Sequence, residues 1–404
     1  MGKIYTALGL MSGTSMDGID ASIVCSIDGE RALDIKTNQY FDYDKDFYQK
    51  LANLRDKITS PDDLKKYSIE LKSIEKEITL FHAKVANTMI KNNREWEPDI
   101  IGFHGQTIFH DSEKKLSVQL GDGNLLSQLT KKTVVYNFRQ NDLKNGGQGA
   151  PLTPIFHQII KSRLKNDWWP VLFLNIGGIS NVTSTSKFST ISKNTNLDLA
   201  HNVFAGDLAP GNCLIDKWIR KNSKNKYDRD GLIAKSGKVN QLVLNQALDN
   251  YSVESYKSFP PPSLDIKDYD ISFARRLSLE DGAATLTHLT ADLIIEGLIK
   301  FMIKIYPNEI NILNRSTILI CGGGRKNKYL IEILKKQLQV NKIELIDKHG
   351  YDGDYIESQA FGYLAIRSYL NLPITFPNTT GCKKSCTGGV IIKNFYFNKE
   401  LFLF

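Results

Sequence analysis

Cysteine is scarce in this 404-residue sequence, and its apolar runs are short. Only five cysteines occur, an odd number that cannot all pair. Cys382 and Cys386 are four apart, but no second Cys or His pair completes a zinc set, so we expect reduced thiols and no metal centre, as in a cytosolic protein. No apolar run reaches the roughly 18 residues of a membrane span, and the start is too soon polar for a signal peptide. These absences exclude a disulfide-rich secreted protein and a helical membrane protein.

Charge of one sign is also limited, with 52 basic against 44 acidic residues. Much of the excess is lysine scattered through polar stretches, such as Lys221, Lys224 and Lys226. Nucleic-acid binding needs a basic patch and usually a recognisable module, and we find no module. We therefore interpret the excess as a solvated surface and expect no nucleic-acid partner. An anionic small substrate also suits this balance.

Apolar strands that end in Gly-rich turns recur along the chain, at 4–18, 171–178 and 317–324. Helical periodicity dominates 43–93 and 239–305. Lobes of this kind bind ligands beyond the ends of their strands. We therefore predict an α/β protein with two related lobes, one formed by 1–160 plus 373–404 and the other by 161–372.

The first of these turns lies in GLMSGTSMDGID, residues 9–20. Successive small residues let backbone N–H groups converge on an anion, and Ser12, Thr14 and Ser15 add hydroxyl donors. Asp17 and Asp20 can orient a metal ion or a hydroxyl. The Gly-Lys-Ser/Thr element of a P-loop is missing. On spacing alone, an ordinary hairpin turn is an equally simple interpretation.

Two further glycine clusters follow buried strands. LNIGGISN contains Gly177 and Gly178, and it repeats the logic of the first turn as a second phosphate-binding candidate. CGGGRKN contains Gly322, Gly323 and Gly324, where a nucleoside could lie flat against the backbone.

The segments FHGQTIFH and NFRQNDLKNGGQGAPLTP carry polar side chains into loops. His104 and His110 are six apart and lack a third ligand, so we favour hydrogen bonding to a ligand or within the fold over a metal site. Arg139 could pair with a carboxylate or phosphate. It could equally be a solvent-exposed residue of a structural loop.

Acidic residues stand at two helix starts. In GDLAPGNCLIDKW, Asp207 could be a general base, although a turn or cap role is favoured for this residue taken alone. Asp216 lies four residues beyond the expected N-cap Asn212. Asp352, Asp354 and Glu357 lie where a helix dipole favours acidic residues in any case.

Taken in order, eight strings resemble the anhydro-N-acetylmuramic acid kinase family. They are GLMSGTSMDGID, FHGQTIFH, FRQNDLKNGGQGAPLTP, LNIGGISNVT, DLAPGNCLID, YDRDGLIAKSG, CGGGRKN and DYIESQAFGYLA, and they cover the chain from about Gly9 to Val390. The resemblance implies a two-lobed actin-like ATPase fold of the sugar kinase, Hsp70 and actin group, with a central cleft for ATP and substrate. It implies a cytoplasmic enzyme of peptidoglycan recycling that is usually a homodimer.

The implied reaction uses ATP, Mg²⁺ and water. It opens the 1,6-anhydro bond of anhydro-N-acetylmuramic acid and phosphorylates O6, giving N-acetylmuramic acid 6-phosphate and ADP. Asp207 matches the base that deprotonates the attacking water, and Glu357 matches a second acidic position. The implied phosphate and adenosine contacts are Gly13, Thr14, Ser15, Met16, Asp17, Gly18, Ile19, Asp20, Gly177, Gly178, Gly322, Gly323 and Gly324. The implied sugar contacts are Gln106, Arg139, Gly149, Ala150 and Pro151.

The sequence departs from the family pattern in two places. The family's DTGPGN is DLAPGN here, so Leu208 and Ala209 replace a hydroxyl and a glycine beside Asp207. The family's PPKS is PPPS, so Pro262 replaces a lysine. The alternatives are a kinase of the same fold that acts on another sugar, and a nucleotide-binding protein without catalysis. Asp207 and Glu357 argue against the latter, because a mere binder needs neither.

Overall fold

The computed structural model describes residues 2–13, 16–30, 32–164, 170–185, 202–251, 259–309, 311–393 and 395. The chain divides into two compact units, Met1–Ile160 with Glu357–Phe404 and Lys161–Ile356. The lobe boundaries that we expected at 160 and 372 stay predictions.

The first unit is built on a mixed sheet. Its strands are β1 (Ile4–Ser12), β2 (Gly18–Ile27), β3 (Ala32–Asp42), β4 (Ile100–Asp111), β5 (Leu116–Leu120), β6 (Thr133–Tyr136) and β12 (Val390–Ile392). Strands β1, β2 and β3 form an antiparallel meander. On the other side of β1, strands β4 and β6 follow in parallel. The order is β12-β6-β4-β1-β2-β3, with β5 paired to β4.

The second unit repeats this arrangement. Its strands are β7 (Val171–Ile176), β8 (Ile179–Thr185), β9 (Val203–Pro210), β10 (Thr317–Cys321) and β11 (Lys342–Leu345). An antiparallel meander of β7, β8 and β9 is again continued by two parallel strands, in the order β11-β10-β7-β8-β9. When β5 and β12 are left out, both units have the same order across the sheet, in which the antiparallel third, second and first strands are followed by two parallel strands. The mixed sheets and helices confirm the predicted α/β class.

The long crossovers between third and fourth strands are helical. The helices of the chain are α1 (Lys45–Lys57), α2 (Pro61–Lys66), α3 (Ser68–Asn92), α4 (Gly123–Thr130), α5 (Gln140–Lys144), α6 (Pro154–Ser162), α7 (Cys213–Asn222), α8 (Leu232–Ser236), α9 (Gln241–Tyr251), α10 (Leu279–Ile305), α11 (Ile312–Arg315), α12 (Lys328–Gln337), α13 (Ile356–Tyr369) and α14 (Pro377–Thr380). Within the described ranges, no helix is both long and apolar enough to span a membrane.

Strand β1 lies directly beneath helix α13 in the first unit. A Cβ atom added at Gly9 would overlap the carbonyl oxygen of Ser358 and the backbone nitrogen of Gly362. Gly102 on β4 is similarly covered by the Phe361 carbonyl group. Glycine on the strands therefore lets the helix backbone approach the sheet backbone directly.

Helix α6 carries a buried histidine that should make the protein acid-labile. Burial lowers the pKa of His157 to about 3, against about 6.5 for an unperturbed histidine. The folded state thus resists protonation while the unfolded chain accepts it, so this stability is present above pH 6.5 or so and is lost as the pH falls. The free energy of unfolding of the wild type falls when the pH is lowered from 7.5 to 5. We expect this fall to be about 2 kcal/mol smaller in His157→Gln.

Denaturant titrations of both proteins at the two pH values measure this difference. The pH 7.5 pair controls for packing lost in the variant. An equal pH-dependent loss in the two proteins would contradict the prediction.

Candidate active site

The turn between β1 and β2 is closed by its own backbone. The Met16 N–H donates to the Gly13 carbonyl oxygen at 3.1 Å, and Met16 has a left-handed backbone with φ of 59°. The Met16 side chain is buried in the core, so only its backbone faces the turn. Thr14 and Ser15, which we predicted as phosphate contacts, lie outside the described residues.

Gln106, at the bend of β4, supports this turn from below. Its Nε2 donates to the Gly13 carbonyl oxygen at 3.0 Å, and its side chain is fully buried. Its Oε1 has no hydrogen-bond partner among the described residues. A buried acceptor left without a donor costs stability unless water or a ligand supplies one. Gln106 therefore offers an acceptor to a bound molecule.

A buried polar network lies under the same turn, and no motif in the sequence indicates it. The Ser12 hydroxyl is 3.0 Å from the Tyr43 hydroxyl and 3.1 Å from His82 Nε2. Burial lowers the pKa of His82 to about 4, so the ring is neutral at pH 7. The His82 Nδ1 is 2.8 Å from the Ile78 carbonyl oxygen and donates to it. That tautomer leaves Nε2 to accept the Ser12 hydroxyl proton.

The end of the turn is acidic. Asp17 is exposed, and Asp20 is half-buried on β2 opposite Tyr40 of β3. The pKa of Tyr40 is raised by burial and then by the charges of Asp17, Asp42 and Asp20. These carboxylates create a negative field that favours a cation. Gly18 and Ile19, which we also predicted as contacts, are buried at the start of strand β2.

Arg139 is fixed at both ends of its guanidinium group. Its Nη1 donates to the Gly149 carbonyl oxygen at 2.6 Å, and its Nη2 donates to His104 Nε2 at 3.0 Å. His104 can accept because burial, and then the charge of Arg139, hold its pKa well below the usual range. The arginine predicted to contact sugar therefore also fixes the loop that runs through Ala150 and Pro151.

Asp142 holds the N–H side of the same residue, Gly149, and sequence reasoning missed it. Its Oδ2 accepts the Gly149 N–H at 2.7 Å, and its Oδ1 accepts the Thr380 hydroxyl at 2.6 Å. Gly149 has a φ of 75°, a conformation that favours glycine. The aspartate stood in a string that we singled out, but its partner Thr380 is remote in sequence.

Glu357 begins the first unit's second segment, in the first turn of α13. It is half-buried. Burial raises its pKa, while the positive charge of Arg139 opposes that shift. A carboxyl group with a raised pKa can hold or release a proton closer to neutral pH.

Asp207 lies on β9 in the second unit, where its carboxylate is oriented by a distant loop. Its Oδ2 accepts the Leu264 N–H at 2.9 Å and the Ser263 hydroxyl at 3.3 Å. Donors of this kind favour the ionised form of a carboxylate. Ser263 is the last residue of the PPPS string. The residues directly after the prolines therefore position the candidate base.

Gly177 and Gly178, which form the turn between β7 and β8, are tied to the start of α7. The Gly178 carbonyl oxygen accepts the Gly211 N–H at 2.9 Å, and the Gly177 carbonyl oxygen accepts the Asn212 N–H at 2.8 Å. A Cβ at Gly211 would overlap the Gly177 oxygen. Backbone hydrogen bonds therefore connect the Gly177–Gly178 turn directly to the end of the DLAPGN string.

The departures from the family pattern beside Asp207 fall in the core. Leu208 is fully buried, and its Cβ lies 3.0 Å from where a Cβ on Gly297 of α10 would stand. Ala209 is also buried, and its carbonyl oxygen accepts the Ser180 hydroxyl at 2.8 Å. Pro262 is exposed. Leu208 thus fits an apolar environment that a threonine would share, rather than facing a ligand.

The turn after β10 has two tight glycines and one open one. A Cβ would overlap Asn175 Oδ1 if added at Gly322 and the Ile176 side chain if added at Gly324. At Gly323 it would meet nothing within 4 Å. Such a turn can offer a flat backbone surface to a ring system.

The acidic run before α13 does not act as one group. Asp354 and Asp352 pair with Arg325, at 2.7 Å and 3.5 Å, and Asp347 joins them at 2.9 Å. This network packs the loop against the β10 turn, since the Gly322 N–H also donates to the Gly353 carbonyl oxygen at 3.3 Å.

Asp216, in α7, has a perturbed carboxyl group. Burial, and then the charge of Asp228, raise its pKa to about 6, while the charge of Arg220 opposes that shift.

Comparison with known proteins agrees with the resemblance. Residues 5–394 match the family model described as anhydro-N-acetylmuramic acid kinase. The chain is 50% identical over 397 residues to the anhydro-N-acetylmuramic acid kinase of Pelagibacter ubique (strain HTCC1062), with 98% of this chain and 100% of that one aligned. It is 36% identical over 399 residues to the enzyme of that name from Brucella canis (strain ATCC 23365 / NCTC 10854 / RM-666), covering 97% and 100%. A solved structure, component A of (R)-2-hydroxyglutaryl-CoA dehydratase from Acidaminococcus fermentans, matches 90% of this chain and 98% of its own at 12% identity with a TM-score of 0.41, which supports no conclusion.

Proposed function

Because the chain belongs to the anhydro-N-acetylmuramic acid kinase family, we propose that Asp207 is the base and Glu357 the second acidic group of that family's reaction. The reaction consumes ATP and water and is a phosphoryl transfer to an alcohol. The 1,6-anhydro bond is opened and O6 is phosphorylated, so the products are N-acetylmuramic acid 6-phosphate and ADP. The observation that carries the assignment of Asp207 is its carboxylate, fixed by the Leu264 N–H and the Ser263 hydroxyl.

Asp207 takes the proton of the water that attacks the anomeric carbon. The C1–O6 bond breaks as the new C1–O bond forms, and O6 accepts the γ-phosphoryl group of ATP. The hydrogen bonds at Oδ2 hold the carboxylate in one orientation. Positioning of the base, the water and the acceptor oxygen together lowers the barrier for both events.

Glu357 is suited to hold a proton during this step. Its raised pKa, caused by burial, increases the fraction of the neutral form near pH 7 relative to an ordinary glutamate. Arg139 limits that shift, so the group can exchange a proton in either direction.

The turn after β10 fits a flat ring system, because Gly323 leaves open space where a Cβ would stand. We propose that the Gly13–Asp20 turn, including Thr14 and Ser15, and the Gly177–Gly178 turn hold the phosphates, with Gly322–Gly324 beside the adenosine. Asp17 and Asp20 are the carboxylates suited to magnesium, which when bound offsets charge on the phosphoryl group.

We assign the sugar to Gln106, Arg139 and the Gly149–Pro151 loop. The hydrogen bonds of Arg139 and Asp142 to the two sides of Gly149 fix the loop backbone before substrate arrives. The positive charge of Arg139 also favours the carboxylate of the amino sugar. We further propose a cytoplasmic role in peptidoglycan recycling, as a homodimer.

Isotope labelling tests this function. The protein is incubated with ATP, Mg²⁺ and anhydro-N-acetylmuramic acid in ¹⁸O-water, and the product is examined by mass spectrometry. We expect a 6-phosphate that carries one ¹⁸O at C1, because water supplies that oxygen. Unlabelled N-acetylmuramic acid 6-phosphate kept in the same water measures spontaneous exchange at C1.

The competing functions give different results. Product formation from another sugar, with none from this one, would move the assignment to a kinase of different specificity. ATP binding without any phosphosugar would leave a nucleotide-binding protein. Labelled product no faster than the exchange control would exclude hydrolytic opening.

A further inference from the structure

Two cysteines and one aspartate meet in the core of the first unit, and none of the three is assigned to the reaction. Asp142, Cys382 and Cys386 are all buried, and one ligand atom from each lies within 4.8 Å of the others. Both thiols are unoxidised. Sequence spacing suggested no metal centre because it compared only cysteine and histidine, whereas the third group comes from a carboxylate far earlier in the chain.

Local structure fixes all three groups. Asp142 lies in α5, and the cysteines lie on the turn between α14 and β12. The Cys386 N–H donates to the Thr375 carbonyl oxygen at 3.0 Å, which anchors one end of the Cys-Lys-Lys-Ser-Cys turn. The Lys383 N–H donates to the Asn145 carbonyl oxygen at 3.0 Å, which ties the same turn to the segment that follows α5.

The ligand atoms keep capacity for a cation. Each oxygen of Asp142 accepts one hydrogen bond, from the Thr380 hydroxyl or the Gly149 N–H, and a carboxylate has about four lone-pair sites in all. The existing bonds therefore orient the carboxylate without using it up. The Cys386 thiol is 3.0 Å from the Lys384 carbonyl oxygen, a weak partner that a metal–sulfur bond can replace.

We propose that Cys382, Cys386 and Asp142 bind one zinc ion. Zinc prefers thiolate with nitrogen or carboxylate oxygen, and its sites commonly include two cysteines separated by two to four residues. The Thr375 hydroxyl, 4.0 Å from the Cys382 sulfur, or a water fills the fourth tetrahedral position. Two Zn–S bonds and one Zn–O bond form, and the two thiol protons pass to solvent.

The charges of the site are consistent with this ion. Two thiolates and one carboxylate sum to −3, so zinc leaves a net charge of −1. Lys383 and Lys384 lie between the cysteines and are exposed, so they can offset that charge. The site would link the C-terminal turn to Asp142, and through Asp142 to the Gly149 peptide.

Cobalt substitution tests the site without measuring turnover, so its outcome is independent of the proposed reaction. The full chain is reduced, stripped with a chelator and titrated with Co²⁺. We expect one equivalent to produce thiolate-to-cobalt charge transfer and the intense visible bands of a tetrahedral site, and one equivalent of Zn²⁺ to abolish both. Cys382→Ser and Cys386→Ser should each weaken binding at least about tenfold, whereas Cys213→Ser, in the other unit, should bind as the wild type does.

Three results would overturn the proposal. The first is no charge-transfer band at stoichiometric Co²⁺. The second is a band that persists in both serine variants. The third is a Cys382–Cys386 disulfide that forms in air and resists competition by Zn²⁺, which would identify a redox pair.

Discussion

Asp207→Asn is expected to lower kcat by about 10²–10⁴-fold, the usual contribution of a positioned general base. Asparagine can still accept the Leu264 N–H through its amide oxygen, so the local backbone should not change. Its amide cannot take a proton from water, so the attack on the anomeric carbon loses its base. Single-turnover rates measure the loss of the chemical step, and calorimetry measures ATP binding separately. We expect the affinity of the variant for ATP to stay within about twofold of the wild type.

Ser263→Ala is the matched control for this variant. It removes only the longer of the two hydrogen bonds to Asp207, at 3.3 Å, and a bond of this kind contributes about 1 kcal/mol. We therefore expect Ser263→Ala to lower kcat about fivefold. Equal rates for Asp207→Asn and the wild type would show that another group is the base.

Gly9→Ala should cause a large loss of stability in the first unit. The added Cβ would overlap the Ser358 oxygen and the Gly362 nitrogen, which are backbone atoms that cannot rotate away. Helix α13 must then shift from β1, and we expect the free energy of unfolding to fall by about 3 kcal/mol or more. Since domains have only about 5–15 kcal/mol in all, part of the protein should expand or aggregate.

Gly323→Ala provides the comparison, because a Cβ there meets nothing within 4 Å. Its free energy of unfolding, measured by denaturant titration without nucleotide, should change by less than about 0.5 kcal/mol. If the two variants are equally stable, the close approach of α13 to β1 does not constrain position 9.

Much of the fold follows from local sequence. The apolar run that begins at Ile4 and the Gly-rich turn after it predict a hairpin, and β1 and β2 form one. Helical periodicity over 43–93 correctly indicates helix but not the two breaks that yield α1, α2 and α3.

The support of the candidate site could not be predicted in the same way. Asp142 depends on Thr380, Asp207 on Ser263, and Ser12 on His82. Each partner is distant in sequence, and no periodicity or spacing encodes such a pair. The roles of Asp207, Glu357 and the glycine turns stay predictions, because they derive from the family resemblance and from geometry alone.

The position of Leu208 illustrates a related limit. From sequence, a hydroxyl lost beside the candidate base suggested a changed site. On β9, Asp207 pairs with Asn181 and Ala209 pairs with Ser180, so Leu208 is the extra residue of a β-bulge. Leu208 joins the core that contains Trp218 and Phe301.

The shared strand order of the two units gives the turns a positional equivalence. The turn after the first strand carries phosphate candidates in both halves, Gly13–Asp17 in one and Gly177–Gly178 in the other. The fourth strands differ, because β4 carries the amide of Gln106 at its bend and β10 leads into a bare glycine surface, Gly322–Gly324. Under the roles proposed above, the fourth strand would serve a polar small molecule in one copy and a flat aromatic ring in the other. A change of sugar specificity would therefore be sought at the first copy, with the nucleotide turn of the second left untouched.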